Sequence, residues 1–161
     1  MATVSIRPIS ISDNEALAKI IRNALIEFNA NHPGTVFDDP TTDHLYELFQ
    51  KEGSAYWVAV KDELILGGGG IYPSAGLEAD TCELVKLYLS PEARGLGLGR
   101  QLIERCLNKA KEIGYSRVYI ESMPELAKAV GIYTKMGFTM LNGPLGNTGH
   151  TGCTIWMLKT L

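Results

Sequence analysis

The chain has no apolar run near the ~20 residues that a bilayer crossing demands, and Met1 to Pro8 shows no basic segment leading into an apolar core. A cytoplasmic protein with no membrane partner is the expectation. Cysteine is scarce: Cys82, Cys106 and Cys153 are an odd number at wide spacing, with no Cys-x-x-Cys pair. Neither a disulfide framework nor a zinc ribbon is encoded, in keeping with a reducing compartment. His32, His44 and His150 have no metal-ligand spacing, so no metal site is expected. Basic residues are not in excess: 15 Lys and Arg against 18 Asp and Glu leave a formal net charge of −3. With no basic cluster to grip a phosphate backbone, nucleic acid is not an expected partner.

What is present is ordinary globular material. The 161 residues are 45% hydrophobic and 20% charged, enough for one domain over 1–161 that buries roughly 70% of its extended surface. No internal repeat or Pro/Ser-rich linker divides it. Thr3 to Ile9 reads as a strand. Ser12 with Glu15 reads as a capping box opening a helix whose apolar stripe is Leu17, Ile20, Ile21, Ala24, Leu25 and Phe28. Asn31 to Thr42 is a long turn-rich connection, and Leu45, Leu48 and Phe49 mark a short second helix.

Ala55 to Val60, Leu64 to Tyr72 and Thr81 to Leu89 are three β-rich runs joined by short turns, an antiparallel meander. Gly67 to Gly70 inside one of them marks a bulge or a close backbone approach. From Gly99 to Ile113 the apolar residues Leu102, Ile103, Cys106, Leu107, Ala110 and Ile113 keep helical spacing, with Gly114 as terminator. The strand Arg117 to Glu121 follows, so Thr81–Leu89 and Arg117–Glu121 are expected to be parallel across a βαβ crossover. Ser122 with Glu125 reads as a second capping box, for a helix through Leu126, Ala129, Val130 and Tyr133 that stops at Gly137. Closing strands fall near Phe138–Leu141 and Cys153–Leu158. The fold class is α/β, with a mixed, mostly antiparallel central sheet flanked by helices.

The sharpest chemical signal is Arg94-Gly95-Leu96-Gly97-Leu98-Gly99-Arg100, between a strand and a long amphipathic helix. Glycines let the backbone turn tightly and present successive N–H groups, which with the helix dipole hold a phosphate or pyrophosphate. The ATP-type loop needs Lys followed by Ser or Thr, but Gly99 is followed by Arg100 and Gln101. The dinucleotide fingerprint fails too, because Arg100 or Leu102 occupies its third glycine.

Arg94-x-x-Gly97-x-Gly99, after a strand ending Leu89-Ser90-Pro91 and before an amphipathic helix, resembles the acetyl-CoA-binding motif of the GCN5-related N-acetyltransferases, the GNAT superfamily. Ala129-x-x-Ile132-Tyr133-x-Lys135-x-Gly137-Phe138 is similar to the late helix and Gly-Phe exit of that family, and the order of elements matches across nearly the whole chain. The resemblance implies a GNAT-like βαβ core with acetyl-CoA as co-substrate. It implies that Leu87, Tyr88 and Leu89 pair with the pantetheine amides and that Arg94 to Arg100 (Arg94, Gly95, Leu96, Gly97, Leu98, Gly99, Arg100) hold the pyrophosphate. The sequence departs from the family at Leu126, where an Asn often touches the cofactor.

Chemistry follows from the attack of an amine on a thioester, which needs a neutral amine and therefore a base or water chain to take its proton. Glu83 stands where some family members keep a glutamate base; in the apolar run Leu84-Val85 a carboxylate is costly unless paired or functional. A salt bridge with Lys86 is the competing explanation. Tyr133 matches the family tyrosine that protonates the departing thiolate, against a plain core aromatic. His150 is an alternative base or substrate ligand, against simple exposure in a glycine-rich loop. Asp38, Asp39 and Asp43 either attract a cationic amine or serve turns and caps. Cys153 shows no base beside it, so direct transfer in a ternary complex is preferred over a covalent intermediate. The expected acceptor is a small-molecule or protein amine. A homodimer is compatible with the resemblance, and a catalytically silent acyl-CoA-binding or sensing module is the alternative.

Overall fold

The computed structural model describes residues 3–161. Strands β1 (Val4–Pro8), β2 (Ala55–Lys61), β3 (Leu64–Tyr72) and β4 (Thr81–Leu89) are successive antiparallel neighbours. β5 (Arg117–Ser122) lies parallel to β4, and β7 (Ile155–Thr160) separates it from the two-residue β6 (Thr139–Met140). The sheet is thus mixed, with one parallel pair made by the βαβ crossover.

Alternation along β2 assigns the two faces. Tyr56, Val58 and Val60 pack with α1 (Asn14–Glu27) and the single turn α2 (Leu45–Leu48), whereas Trp57 and Ala59 face α3 (Leu98–Ile113). α3 buries Leu98, Leu102, Ile103, Cys106, Leu107 and Ala110, one stripe at helical spacing. Gly114, at φ 114°, ends it by donating to the Ala110 carbonyl at 3.1 Å. α4 (Ala127–Lys135) contributes Tyr133 to the same core, and Phe138 follows the left-handed Gly137.

Two expected capping boxes do not form. Before α1 the chain makes a short 3-10 turn, Ile11–Asp13, in which Asp13 accepts from the Ser10 N–H at 2.7 Å and from Arg7 at 2.8 Å. Ser10 with the buried Asp13, which the half-exposed Arg7 also holds, and not Ser12 with Glu15, therefore fixes that entry. Ser122 is the buried last residue of β5, and the turn Pro124–Leu126 precedes α4 with Glu125 paired to His32. The closing strand starts two residues later than the periodicity suggests, because β5 pairs with Ile155 through Thr160.

Two irregularities position the site. β4 and β5 pair only at Thr81↔Arg117, Cys82↔Val118 and Glu83↔Tyr119, and beyond that rung they diverge. In β4, Lys86 adopts φ 52° while the β3–β4 register shifts between Gly68 and Gly70, a bulge that bends the strand away from β5. A left-handed lysine costs on the order of 1 kcal/mol. Tyr56 offsets this strain by donating its hydroxyl to the Lys86 carbonyl at 2.8 Å. The glycine run makes that contact sterically possible, since a Cβ at Gly68 would lie 2.5 Å from both the Trp57 carbonyl oxygen and the Tyr56 ring. Close backbone approach, and not added flexibility, is what this run supplies.

Candidate active site

The wedge between the diverging β4 and β5 opens into a cleft of about 340 Å³. One end is the glycine loop. Gly95 and Gly97 sit at φ 79° and 70°, and Gly97 leads directly into α3. A Cβ at Gly95 would meet nothing within 4 Å, and one at Gly97 only the Gln101 side chain at 4.0 Å. Glycine is needed here for conformation, and the space outside the loop is open. The free N–H groups of the first helical turn face it, and the half-exposed Arg94 and the largely exposed Arg100 flank it. Arg94 is held by Glu27 and lies over the Phe28 ring, 5.5 Å from its centroid. Such a cradle fits a pyrophosphate.

The expected residues come together with one exception. Glu83, Tyr133, Leu87, Tyr88, Leu89, Arg94, Gly95, Gly97, Leu98, Gly99 and Arg100 all line this cleft. Leu96 does not: it is 39% exposed at the outside of the turn and spends its N–H on the Ala93 carbonyl at 3.4 Å. The unpaired edge of β4 beyond Glu83 presents backbone groups along the same cleft, the arrangement that an extended amide chain requires.

Glu83 sits on the last rung before the strands part and is only 2% exposed. Burial pushes its carboxyl up to about 7, with the Glu121 charge adding to this and the hydrogen bond from Ser74 at 2.5 Å opposing it. It does not pair with Lys86, which turns instead to Asp39 at 3.0 Å. Tyr133 is buried from α4, and burial raises its phenol above the ordinary range, so it stays a proton donor. Burial pushes the Cys153 thiol up to about 12, which removes the thiolate that a covalent route would need.

A polar cluster surrounds Glu83. His150 is 12% exposed, lines the cleft and contacts Asp39 through Nε2 at 3.1 Å, so it is neither solvated nor idle. Its Nδ1 stands 3.8 Å from Glu121 Oε1. Glu121, on β5, accepts from Tyr119 at 2.7 Å and from Thr148. Asp39 does cap the 3-10 turn at Pro40, accepting from the Thr41 N–H at 2.9 Å, but it also anchors Lys86 and His150. Burial opposes its ionisation, yet these contacts hold its carboxyl far below the usual range. Asp43 pairs with Arg22 at the surface and Asp38 is exposed.

Sequence reasoning passed over Glu121. Its signal was the one that marked Glu83, a carboxylate in an apolar strand, here after Val118-Tyr119-Ile120. Lys86, a charge in the same apolar strand as Glu83, was read only as its ion-pair partner, and Ser74 carried no local signal.

Comparison with known proteins identifies the family and the fold. Residues 21–138 match the model of the Acetyltransferase (GNAT) family. The YjgM protein of Escherichia coli K12, described as an uncharacterized N-acetyltransferase, is 38% identical over 156 residues, covering 96% of this chain and 93% of its own. The IAA acetyltransferase of Azospirillum brasilense is 30% identical over 122 residues, 74% of this chain and 78% of its own. A GNAT-family acetyltransferase from Staphylococcus aureus MU50 superposes with a TM-score of 0.85 at 20% identity, over 99% of both chains. The PaiA N-acetyltransferase of Thermoplasma acidophilum, solved in complex with coenzyme A, does so at 0.77 and 20%, also over 99% of both. The chain belongs to the acetyltransferase (GNAT) family, and it is an acyltransferase by class.

Proposed function

We propose that this protein transfers an acetyl group from acetyl-CoA to a primary amine by direct attack, with Glu83 as base and Tyr133 as acid. The observation that carries the reading is the buried Glu83 carboxyl, raised to about 7, at the head of a cleft that Tyr133 and the glycine loop also line. The glycine loop and the first turn of α3 hold the pyrophosphate, and the free edge of β4 pairs with the pantetheine amides. Glu83 takes a proton from the incoming ammonium. The freed nitrogen lone pair adds to the thioester carbonyl; as the C–S bond breaks, Tyr133 gives its proton to the thiolate and is re-protonated, through water, by the second proton that the nitrogen sheds on becoming an amide. N–H groups near Leu87 stabilise the oxyanion, a contribution of about 3 kcal/mol.

Calorimetric titration with acetyl-CoA tests the first half, with NAD and ATP as controls and with Gly97→Glu as the variant. Its carboxylate enters open space and repels the pyrophosphate; because the φ of 70° strains any side chain there, Gly97→Ala is the control for strain alone. Micromolar binding by the wild type, lost in the variant, is the expected result. A preference for NAD would overturn the reading. Binding without turnover of any amine would point to a sensing module instead.

A further inference from the structure

The buried Glu83 carboxyl has little hydrogen-bond support. Its two oxygens offer about four acceptor sites, yet among the described residues a single donor reaches them, the Ser74 hydroxyl, at 2.5 Å from Oε1. The groups that surround it are spent elsewhere. Lys86 of β4 and His150 of the loop 141–154 both bond Asp39, while Glu121 of β5 accepts from Tyr119 and Thr148. Cys82, Tyr88 and Cys153 are its remaining titratable neighbours, and burial holds all three in their protonated forms.

The register of the sheet delivers the Ser74 hydroxyl. Tyr72, the last residue of β3, is the antiparallel partner of Glu83, and the chain turns just beyond it, with the Ser74 N–H donating to the Tyr72 carbonyl at 3.0 Å. Two further bonds fix the turn: Leu77 donates to the Ser74 carbonyl at 3.2 Å, and Asn147 donates to that of Ala75 at 2.7 Å. A Cβ at Gly76 would lie 2.7 Å from the Asn147 nitrogen, so the loop 141–154 lies hard against this turn. Ser74 does not line the cleft; it reaches the carboxyl from outside the cleft wall.

Charge sets the direction of the bond. The Ser74 hydroxyl has no other protein acceptor among the described residues, so against an ionised Oε1 it donates. A hydrogen bond to a carboxylate is roughly twice as strong as one between neutral groups, so the contact favours the charged carboxyl even though a protonated one could return it. We infer that Ser74 is a positioning residue for the Glu83 base: it holds Oε1 and leaves Oε2 as the oxygen that takes the ammonium proton. The inference rests on Glu83 acting as base.

Ser74→Ala removes the hydroxyl and Ser74→Thr keeps it. The first readout needs no amine: urea denaturation against pH, each variant compared with its own Glu83→Gln double variant so that only the Glu83 titration remains. The folded-state midpoint should move from about 7 to about 8 in Ser74→Ala, one lost hydrogen bond to a charged group being worth about one pH unit, and should stay in place in Ser74→Thr. The folded state of Ser74→Ala then holds the proton more tightly, so stability falls with pH over a window that ends about one unit higher. The second readout is turnover, with phenethylamine and spermidine as probe amines at saturating acetyl-CoA. Relative to wild type, kcat/KM of Ser74→Ala should be ~5-fold lower at about pH 7 and equal at about pH 9, where both carboxyls are ionised. Ionisation of the amine cancels in that ratio. A ratio that is the same at every pH would mean a packing role. That result, a midpoint that stays or falls in Ser74→Ala, or an equal shift in Ser74→Thr would each overturn the inference. If the midpoint moves but Glu83→Gln still acetylates the amines, the base reading falls and takes the catalytic role of Ser74 with it. If Glu83→Gln is inactive and the midpoint stays, only the Ser74 inference falls.

Discussion

Glu83→Gln should make the protein more stable while disabling it, and the effect should depend on pH. Burial raises the Glu83 carboxyl from 4.5 to about 7. The folded state therefore binds this proton more tightly than the unfolded state does. Between pH 4.5 and 7 the native protein holds more protons, so its stability falls as pH rises through that window. At ~1.4 kcal/mol for each tenfold difference in proton affinity, the loss is roughly 3 kcal/mol and is complete by about pH 8. A neutral amide keeps the Ser74 contact and removes the titration. Urea denaturation of wild type and variant, run from about pH 5 to about pH 8, isolates this one group because all other titrations cancel in the difference. The variant should gain roughly 3 kcal/mol over wild type across that range, which at this chain length moves the thermal midpoint by ~6 °C or more. A difference that stays flat with pH would refute the assignment of a buried, proton-retaining carboxyl. A difference of opposite slope would mean that Glu83 is held as a carboxylate by its neighbours.

Further outcomes follow from the same contacts. The acidic limb of the kcat/KM profile should have its midpoint near pH 7, rising as Glu83 loses its proton, and should vanish in Glu83→Gln. Tyr133→Phe should lower kcat by ~100-fold with acetyl-CoA affinity kept, measured by thiol release; an unchanged kcat would return Tyr133 to a packing role. Tyr56→Phe strips the Lys86 carbonyl of its hydroxyl partner and should cost about 1–3 kcal/mol in chemical denaturation, with loss of activity if the bulge relaxes. Asp39→Asn leaves the Lys86 ammonium, 3% exposed, without its counter-charge, and should cost roughly 3–5 kcal/mol; a loss under ~1 kcal/mol would show that water reaches Lys86.

Local patterns in the sequence were enough to establish the order of elements, the meander, the parallel crossover and the glycine loop leading into a helix. Those features are written in periods of two and 3.6 residues and in glycines at fixed offsets, so neighbouring residues suffice to encode them. Glu83 was legible for a related reason, since a carboxylate inside an apolar strand is costly wherever the strand lies. Tertiary structure decided the rest. The α1 entry is capped two residues earlier than the local pattern suggests, by Ser10 with Asp13, because Asp13 is the carboxylate that Arg7 reaches from β1. His150 meets Asp39 across 111 residues, and the Tyr56 hydroxyl meets the Lys86 carbonyl across 30, contacts that no local spacing encodes. Whether a polar residue is solvated or poised depends on what closes over it. Here Asp39 of loop 31–44 and His150 of loop 141–154 meet beside Glu83 because the fold holds those two loops together.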